Sequence, residues 1–207
     1  MSRAENDSAF RLVLISPPTT TATELPTLVQ LFEAGLQTFH LRKPGASAAA
    51  VEAYLEAVPR QYHGRVVLHS HYALARHYPV GGLHLPTAAR STWPTQAHLR
   101  QPGHTLSTSL HSIAELRQHR RRYDYVLLSP IFDSISKQGY GQAFDLAEVQ
   151  QELRRLRQRS SYVPQVVALG GITAANVAQV QAAGFAGAAV LGSVWQAADP
   201  VAVFRQL

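Results

Sequence analysis

Eight short apolar runs, each followed by a loop and then by a stretch with helical spacing, constrain this chain more than any other feature. They are Arg11–Ile15 (RLVLI), Gln37–Arg42 (QTFHLR), Arg65–His69 (RVVLH), Gly82–Leu85 (GLHL), His104–Ser109 (HTLSTS), Asp124–Leu128 (DYVLL), Gln165–Leu169 (QVVAL) and Gly187–Leu191 (GAAVL). Runs this short, apolar on both faces, read as strands of a parallel sheet covered on both sides. Between them, Leu25, Leu28, Val29 and Phe32 share a helical face that stops at Gly35. Ser47, Ser112 and Thr173 stand where N-caps are needed for helices over Val51–Val58, Ile113–Gln118 and Ala174–Ala183, the last closed by Gly184. Asp199-Pro200 opens a final helix, and weaker helical patterns fall near Tyr72–His77 and Pro94–Leu99. Strand and helix alternating eight times in 207 residues predict an α/β chain folded as one compact (β/α)8 TIM barrel over residues 1–207. A doubly wound open sheet would need fewer repeats.

Composition agrees with one sizeable core. The chain is 46% hydrophobic and 15% charged, without low-complexity linkers. No apolar run approaches the roughly 20 residues that span a bilayer. The polar segment Met1–Ser8 does not read as a secretory signal, and cysteine is absent. Thiolate metal sites and cysteine nucleophiles are thereby excluded, and a cytoplasmic location is expected. The +6 net charge is concentrated in Arg117–Arg122 (RQHRRR) and Arg154–Arg159 (RRLRQR). Both runs lie on helix-like segments without interleaved aromatics, so they read as solvated outer faces, with neither nucleic acid nor membrane as partner.

A barrel of this kind carries its reacting groups at the C-terminal ends of the strands and in the loops that follow. That rule turns the strand list into a site list. His40 and Arg42 end the second strand, on one face because strand residues alternate. His69, His84 and Ser109 end the third, fourth and fifth. The three histidines at strand ends are candidates for proton transfer near neutral pH. Ser129–Gly139 (SPIFDSISKQG) follows the sixth strand, and its Ser134, Ser136 and Lys137 form a donor cluster suited to phosphate oxygens. Leu169–Thr173 (LGGIT) and Gly187–Ser193 (GAAVLGS) place glycines in two consecutive loops, where backbone N–H groups can cradle an anion.

Taken together, HLRK at 40–43, GLHL at 82–85, SLHS at 109–112, DYVLLSPIFDSISK at 124–137, LGGI at 169–172 and the closing AGFAGAAVLGSVWQAADP at 183–200 resemble the thiamine phosphate synthase and TenI-type thiazole tautomerase superfamily. The resemblance covers nearly the whole chain. It implies an enzyme of thiamine biosynthesis, often a homodimer, acting on a phosphorylated thiazole. It also implies that Gly171, Leu191 and Gly192 bind the thiazole phosphate through backbone N–H groups. By the same correspondence Arg42, Ser109, Ser134, Ser136 and Lys137 match positions that hold the pyrophosphate of a pyrimidine substrate in the synthases.

Departures from the family pattern divide the readings. Synthases stabilise the leaving pyrophosphate with Mg2+ held by aspartates. Here His69-Ser70 replaces an Asn-Asp pair after the third strand, and Pro86–Ala89 lacks the second aspartate. The lysine expected two places after Arg42 is displaced to Lys43, with Pro44 at the expected position. Tautomerases use a histidine just after the sixth strand, where this chain has Pro130, as the synthases do. The favoured reading is a metal- and cofactor-independent thiazole phosphate tautomerase. In it His40, His69 or His84 moves the proton and Arg42 or Lys137 pairs with the substrate carboxylate. One alternative is a synthase with an altered metal site, the reading under which Mg2+ and pyrimidine pyrophosphate are expected. The other is a non-catalytic thiazole or thiamine phosphate binder.

Overall fold

The computed structural model describes residues 10–133, 144–160 and 162–207. Eight parallel strands close into one barrel in sequence order: β1 (Arg11–Ile15), β2 (Thr38–Leu41), β3 (Val66–Leu68), β4 (Gly82–Leu85), β5 (Thr105–Leu110), β6 (Tyr125–Leu128), β7 (Gln165–Leu169) and β8 (Gly187–Val190). The outer layer holds α1 (Glu24–Glu33), α2 (Ala48–Ala57), α3 (Trp93–Gln96), α4 (Ile113–Gln118), α5 (Leu146–Arg157), α6 (Val177–Ala182), α7 (Gly192–Trp195) and α8 (Pro200–Phe204). Every expected strand is present to within a residue or two, and the single (β/α)8 barrel is the fold.

Helix boundaries follow the capping chemistry. The Ser47 hydroxyl accepts the Ala50 N–H, Ser112 accepts that of Glu115, and Asp199 accepts that of Ala202. Gly35 and Gly184, at φ +109° and +90°, end α1 and α6 in left-handed conformations that glycine alone adopts cheaply. Two expectations need correction. Tyr72–Arg76 is a 3-10 run, and the 94–99 pattern resolves into the short α3 and a 3-10 turn at Ala97–Leu99. Thr173 is not an N-cap of a helix over Ala174–Ala183. The Asn176 carboxamide accepts the Thr173 N–H and donates to the Gly171 carbonyl, which holds 173–176 as a turn and delays α6 to Val177.

The period of two sorts side chains between two cores. Outward residues such as Leu14, Phe39, Leu68, Leu83, Val126, Ala168 and Val190 pack beneath the helices. Inward, Val13, Ile15, Leu127, Val167 and Ala189 fill one half of the barrel with hydrocarbon. The other half is polar: His40, His84 and Ser107 are all buried there. The expectation of strands apolar on both faces therefore holds on the β7–β8–β1 side and for β3, and fails for β2, β4 and β5, which carry His40, His84 and Ser107 inward. Single alternate residues within otherwise apolar runs do not disturb the outer packing that makes those runs strands.

The same alternation turns Lys43 away from the mouth. Its ammonium is buried against both Glu24 carboxylate oxygens, at 2.7 and 2.6 Å, and donates to the Pro17 carbonyl at 2.9 Å. The Tyr54 hydroxyl completes the group with a 2.7 Å bond to Glu24. This pair ties the end of β2 to α1 and α2. Removing one partner strands the other charge in a dry site, so Lys43→Met is expected to cost about 3–5 kcal/mol in urea unfolding. The double variant Glu24→Leu/Lys43→Met should recover most of that loss.

Candidate functional site

All eight strands run parallel, so their C-terminal ends open on one face. Two halves of that face carry different chemistry. On the β7–β8 side, Gly170 and Gly171 have φ of +104° and +63°. A Cβ on Gly171 would lie 2.6 Å from the Asp133 carbonyl oxygen and 2.8 Å from the Phe132 Cβ. The reason is that the chain after β6 continues to pair with the chain after β7. Ile131 donates its N–H to the Leu169 carbonyl, and Phe132 to that of Gly170. These glycines thus seat the β6 loop directly beside the glycine turn. Gly192 differs, since a Cβ there would meet only the Gln196 side chain at 3.7 Å. Next to it the Ser193 hydroxyl is enclosed and has no hydrogen-bond partner among the described residues. An orphan donor beside backbone N–H groups at a helix start suits a bound oxyanion.

On the β2–β5 side, the pairing register lines up the polar residues. His84 sits opposite Ser107, and Ser107 opposite Tyr125. Continuing the β2–β3 and β3–β4 registers by one residue sets Arg42 beside His69 and His69 beside His84. The result is a row descending from the mouth at Arg42 to the floor at Tyr125. His40 lies one layer beneath Arg42 and joins the row across the barrel. Its Nδ1 is 2.9 Å from His69 Nε2, and its Nε2 is 2.5 Å from the Tyr125 hydroxyl. His84 reaches Ser107 through Nδ1 at 2.9 Å and Ser109 through Nε2 at 3.0 Å. His69 stacks on His84 with ring centroids 4.2 Å apart.

Burial sets the charge of this cluster. Desolvation, then the neighbouring His84 and Arg11, hold His40 well below the ordinary histidine range. His69 is lowered likewise, by burial and then by His84, His40 and Arg42. His84 falls to about 3, through burial and then the positive charges of Arg42 and Arg90. Burial pushes the Tyr125 phenol up to about 12, so it remains a hydroxyl donor. The three imidazoles are therefore neutral at physiological pH and can each offer a nitrogen lone pair. Above them, Arg42, Lys43, Pro44, Gly45, Ala46, His69, Ser70, His71 and Pro86 line an open depression of about 260 Å³. The Ser16 hydroxyl fixes the Arg42 backbone at both N–H and carbonyl, at 2.8 and 2.9 Å. Trp195, in α7, donates to the Ile15 carbonyl at 2.7 Å and so links the glycine side to the arginine side.

Of the residues singled out from sequence, the structure gathers Arg42, His40, His69, His84 and Ser109 at one half of the mouth. Gly171, Leu191 and Gly192 lie at the other. Ser134, Ser136 and Lys137 fall outside the described residues. Sequence reasoning missed Tyr125, although the strand period from Leu127 points to it, while Ser107, which shares a strand face with Ser109, joins the cluster as that period implies. It also missed Asn176 and Ser16, which act through backbone contacts that leave no local pattern. The ends of β3 and β4 carry no carboxylate, and Glu24 is taken by Lys43 and Tyr54. This donor set does not fit Mg2+, which demands several oxygen ligands. Several arginines of the basic runs bond within the chain. Arg117 pairs with Glu152 at 2.7 Å, and Arg157 and Arg159 donate to the carbonyls of Gly184 and Arg117.

The structure is a closed (β/α)8 barrel whose mouth sets a glycine turn, braced by the chain after β6, across from an arginine. The profile of the thiamine monophosphate synthase family matches residues 12–194. Thiamine-phosphate synthase of Latilactobacillus sakei is 31% identical over 182 residues, covering 84% of this chain and 78% of that protein. That of Klebsiella pneumoniae is 30% identical, covering 86% and 83%. Among solved structures, thiamine phosphate pyrophosphorylase from Bacteroides thetaiotaomicron superposes with a TM-score of 0.75 at 29% identity, over 95% of each chain. The chain belongs to the thiamine monophosphate synthase family. The relatives carry the synthase name, which favours the synthase alternative over the tautomerase reading preferred from sequence.

Gly171 tests the brace. Gly171→Ala would force a side chain into a left-handed backbone against a carbonyl oxygen. It is expected to lower stability by about 1–3 kcal/mol in denaturant melts. Gly192→Ala, with open space around it, should leave the melt unchanged.

Proposed function

We propose that this protein is a thiamine-phosphate synthase: it joins a hydroxymethylpyrimidine pyrophosphate to a thiazole phosphate and releases pyrophosphate. The observation that carries the reading is the chain's match, over the whole barrel, to relatives bearing that name, with Pro130 where a tautomerase base would stand. The geometry supports it in kind. Two anionic substrates need two anion sites on one mouth, and the parallel barrel opens the glycine turns and Arg42 on the same face.

In this reading the N–H groups of Gly171, Leu191 and Gly192 hold the thiazole phosphate, with the Ser193 hydroxyl as a further donor. Arg42 pairs with the pyrophosphate. Ser109 shares its hydroxyl between His84 and the substrate, and Ser134, Ser136 and Lys137, which lie outside the described residues, are further donors for the leaving group in this reading. The bond between the pyrimidine methylene and the pyrophosphate oxygen breaks, and the thiazole nitrogen takes the methylene. The neutral histidines fit such a step, since a charged imidazolium beneath the mouth would repel the developing pyrimidine cation.

Pyrophosphate release from the two substrates, with and without Mg2+, tests the proposal. Wild-type protein should release pyrophosphate only when both substrates are present. Arg42→Gln should lose about a hundredfold in kcat/KM through one missing charged donor to the leaving group. Gly192→Ala should raise KM for thiazole phosphate at unchanged stability. Tight binding of thiazole phosphate with no release under either condition would overturn the synthase reading in favour of a non-catalytic binder.

A further inference from the structure

The geometry points to a site for a borderline divalent ion of the Zn2+ class inside the polar half of the barrel, held by His40, His69 and His84. Among the described residues these three form the one group whose ligand atoms all lie within 4.8 Å of one another. Nitrogens bound at about 2.0 Å in a tetrahedron stand about 3.3 Å apart. The present separations bracket that value, from the 2.9 Å between His40 Nδ1 and His69 Nε2 up to the 4.8 Å limit. Small rotations of the rings, which share one enclosed space, would complete the set.

Two further features favour a metal over a simple hydrogen-bonded polar core. Two of the rings have an oriented outer partner. With Nδ1 of His40 on the ion, its Nε2–H meets the Tyr125 hydroxyl. With Nε2 of His84 on the ion, its Nδ1–H meets Ser107 Oγ. Such partners fix ring orientation at metal sites. Finally, an all-imidazole set suits Zn2+, Co2+ or Ni2+ and rejects Mg2+. His69 lines the depression together with Arg42, so a fourth ligand would enter past that guanidinium. That guanidinium weakens the site for a bare cation and strengthens it for a cation carrying an anionic oxygen, such as one from phosphate or pyrophosphate. The site occupies the side of the mouth where the family's aspartates are missing, so it would replace an oxygen-bound ion by a nitrogen-bound one.

The test uses full-length protein stripped with a chelator and titrated calorimetrically with Zn2+ alone, and in parallel with Co2+ followed by visible absorption. One ion per chain is expected, with the intense d–d bands of a four- or five-coordinate nitrogen site. Thermal unfolding should shift upward with the ion. His69→Gln, at the partly exposed rim, should lose the stoichiometric ion, the Co2+ bands and the thermal shift. Ser107→Ala, which removes the orienting partner of His84 and a hydroxyl bonded to Tyr125, should weaken binding about ten- to a hundredfold. The inference is overturned if wild-type protein binds no stoichiometric Zn2+. It is equally overturned if Co2+ gives the weak spectrum of an oxygen-rich six-coordinate site, or if folded His69→Gln binds Zn2+ as tightly as wild type. The Co2+ spectrum of the wild type decides the matter even where a variant fails to fold. Binding is read without turnover, so its failure leaves the synthase reading untouched. Normal ion binding without pyrophosphate release counts against the synthase reading alone.

Discussion

Closure of the barrel in one fixed register is the constraint on which everything else depends. Once β1 pairs with β8 and each strand with its successor, the period of two decides for every residue whether it faces the helices or the interior. A slip of one residue between β2 and β3 would move Arg42 behind the sheet and bring Lys43 into the mouth. It would also separate His40 from His69. The buried Lys43–Glu24–Tyr54 group holds the end of β2 against α1 and α2 and so opposes turning Lys43 into the mouth. Stability and site geometry are thus fixed by the same contact.

The interior is divided, and the division has a functional sense. Hydrocarbon from β1, β6, β7 and β8 fills one half at close packing. The half lined by β2 to β5 contains imidazoles and hydroxyls that satisfy one another, with the Tyr125 hydroxyl reaching in from β6. Burying so many polar groups is costly unless each is bonded, and here His40, His69, His84, Ser107, Ser109 and Tyr125 all are. A core built only for stability would fill this half with Val and Leu. That the chain instead maintains a satisfied polar row leading to Arg42 marks the row as part of the site.

Much of the fold could be read from the sequence because the outward-facing residues of each strand, such as Phe39 and Leu41, are apolar apart from Thr108 on β5, and because Ser47, Ser112, Asp199, Gly35 and Gly184 mark helix ends chemically. The weak helices after β3 and β4 were hard to read for a physical reason: those connections are single turns whose few apolar residues show no period. Thr173 misled because a threonine before an apolar stretch resembles an N-cap, while the Asn176 carboxamide, bonded to the Thr173 N–H and the Gly171 carbonyl, holds the same residues as a turn. Placing His40, His69 and His84 at strand ends was possible, but their mutual contact was not, since it depends on how far the register staggers around the barrel. The same stagger brings Tyr125 into the cluster from a position that looks like ordinary strand interior. The choice of activity rested on missing aspartates, and the kinship of the whole chain outweighs that local loss.

The central claim is that the glycine turns after β7 and β8 receive the phosphate of a thiazole whose ring faces Arg42 and the pyrophosphate site across the same mouth. A crystal structure of the protein with thiazole phosphate bound tests it most directly. The account predicts the phosphate within hydrogen-bond reach of the Gly171 and Gly192 N–H groups, with the ring turned toward His84 and Arg42. A phosphate seated instead on the arginines of α4 and α5, or at the opposite end of the barrel near Arg11, would contradict it.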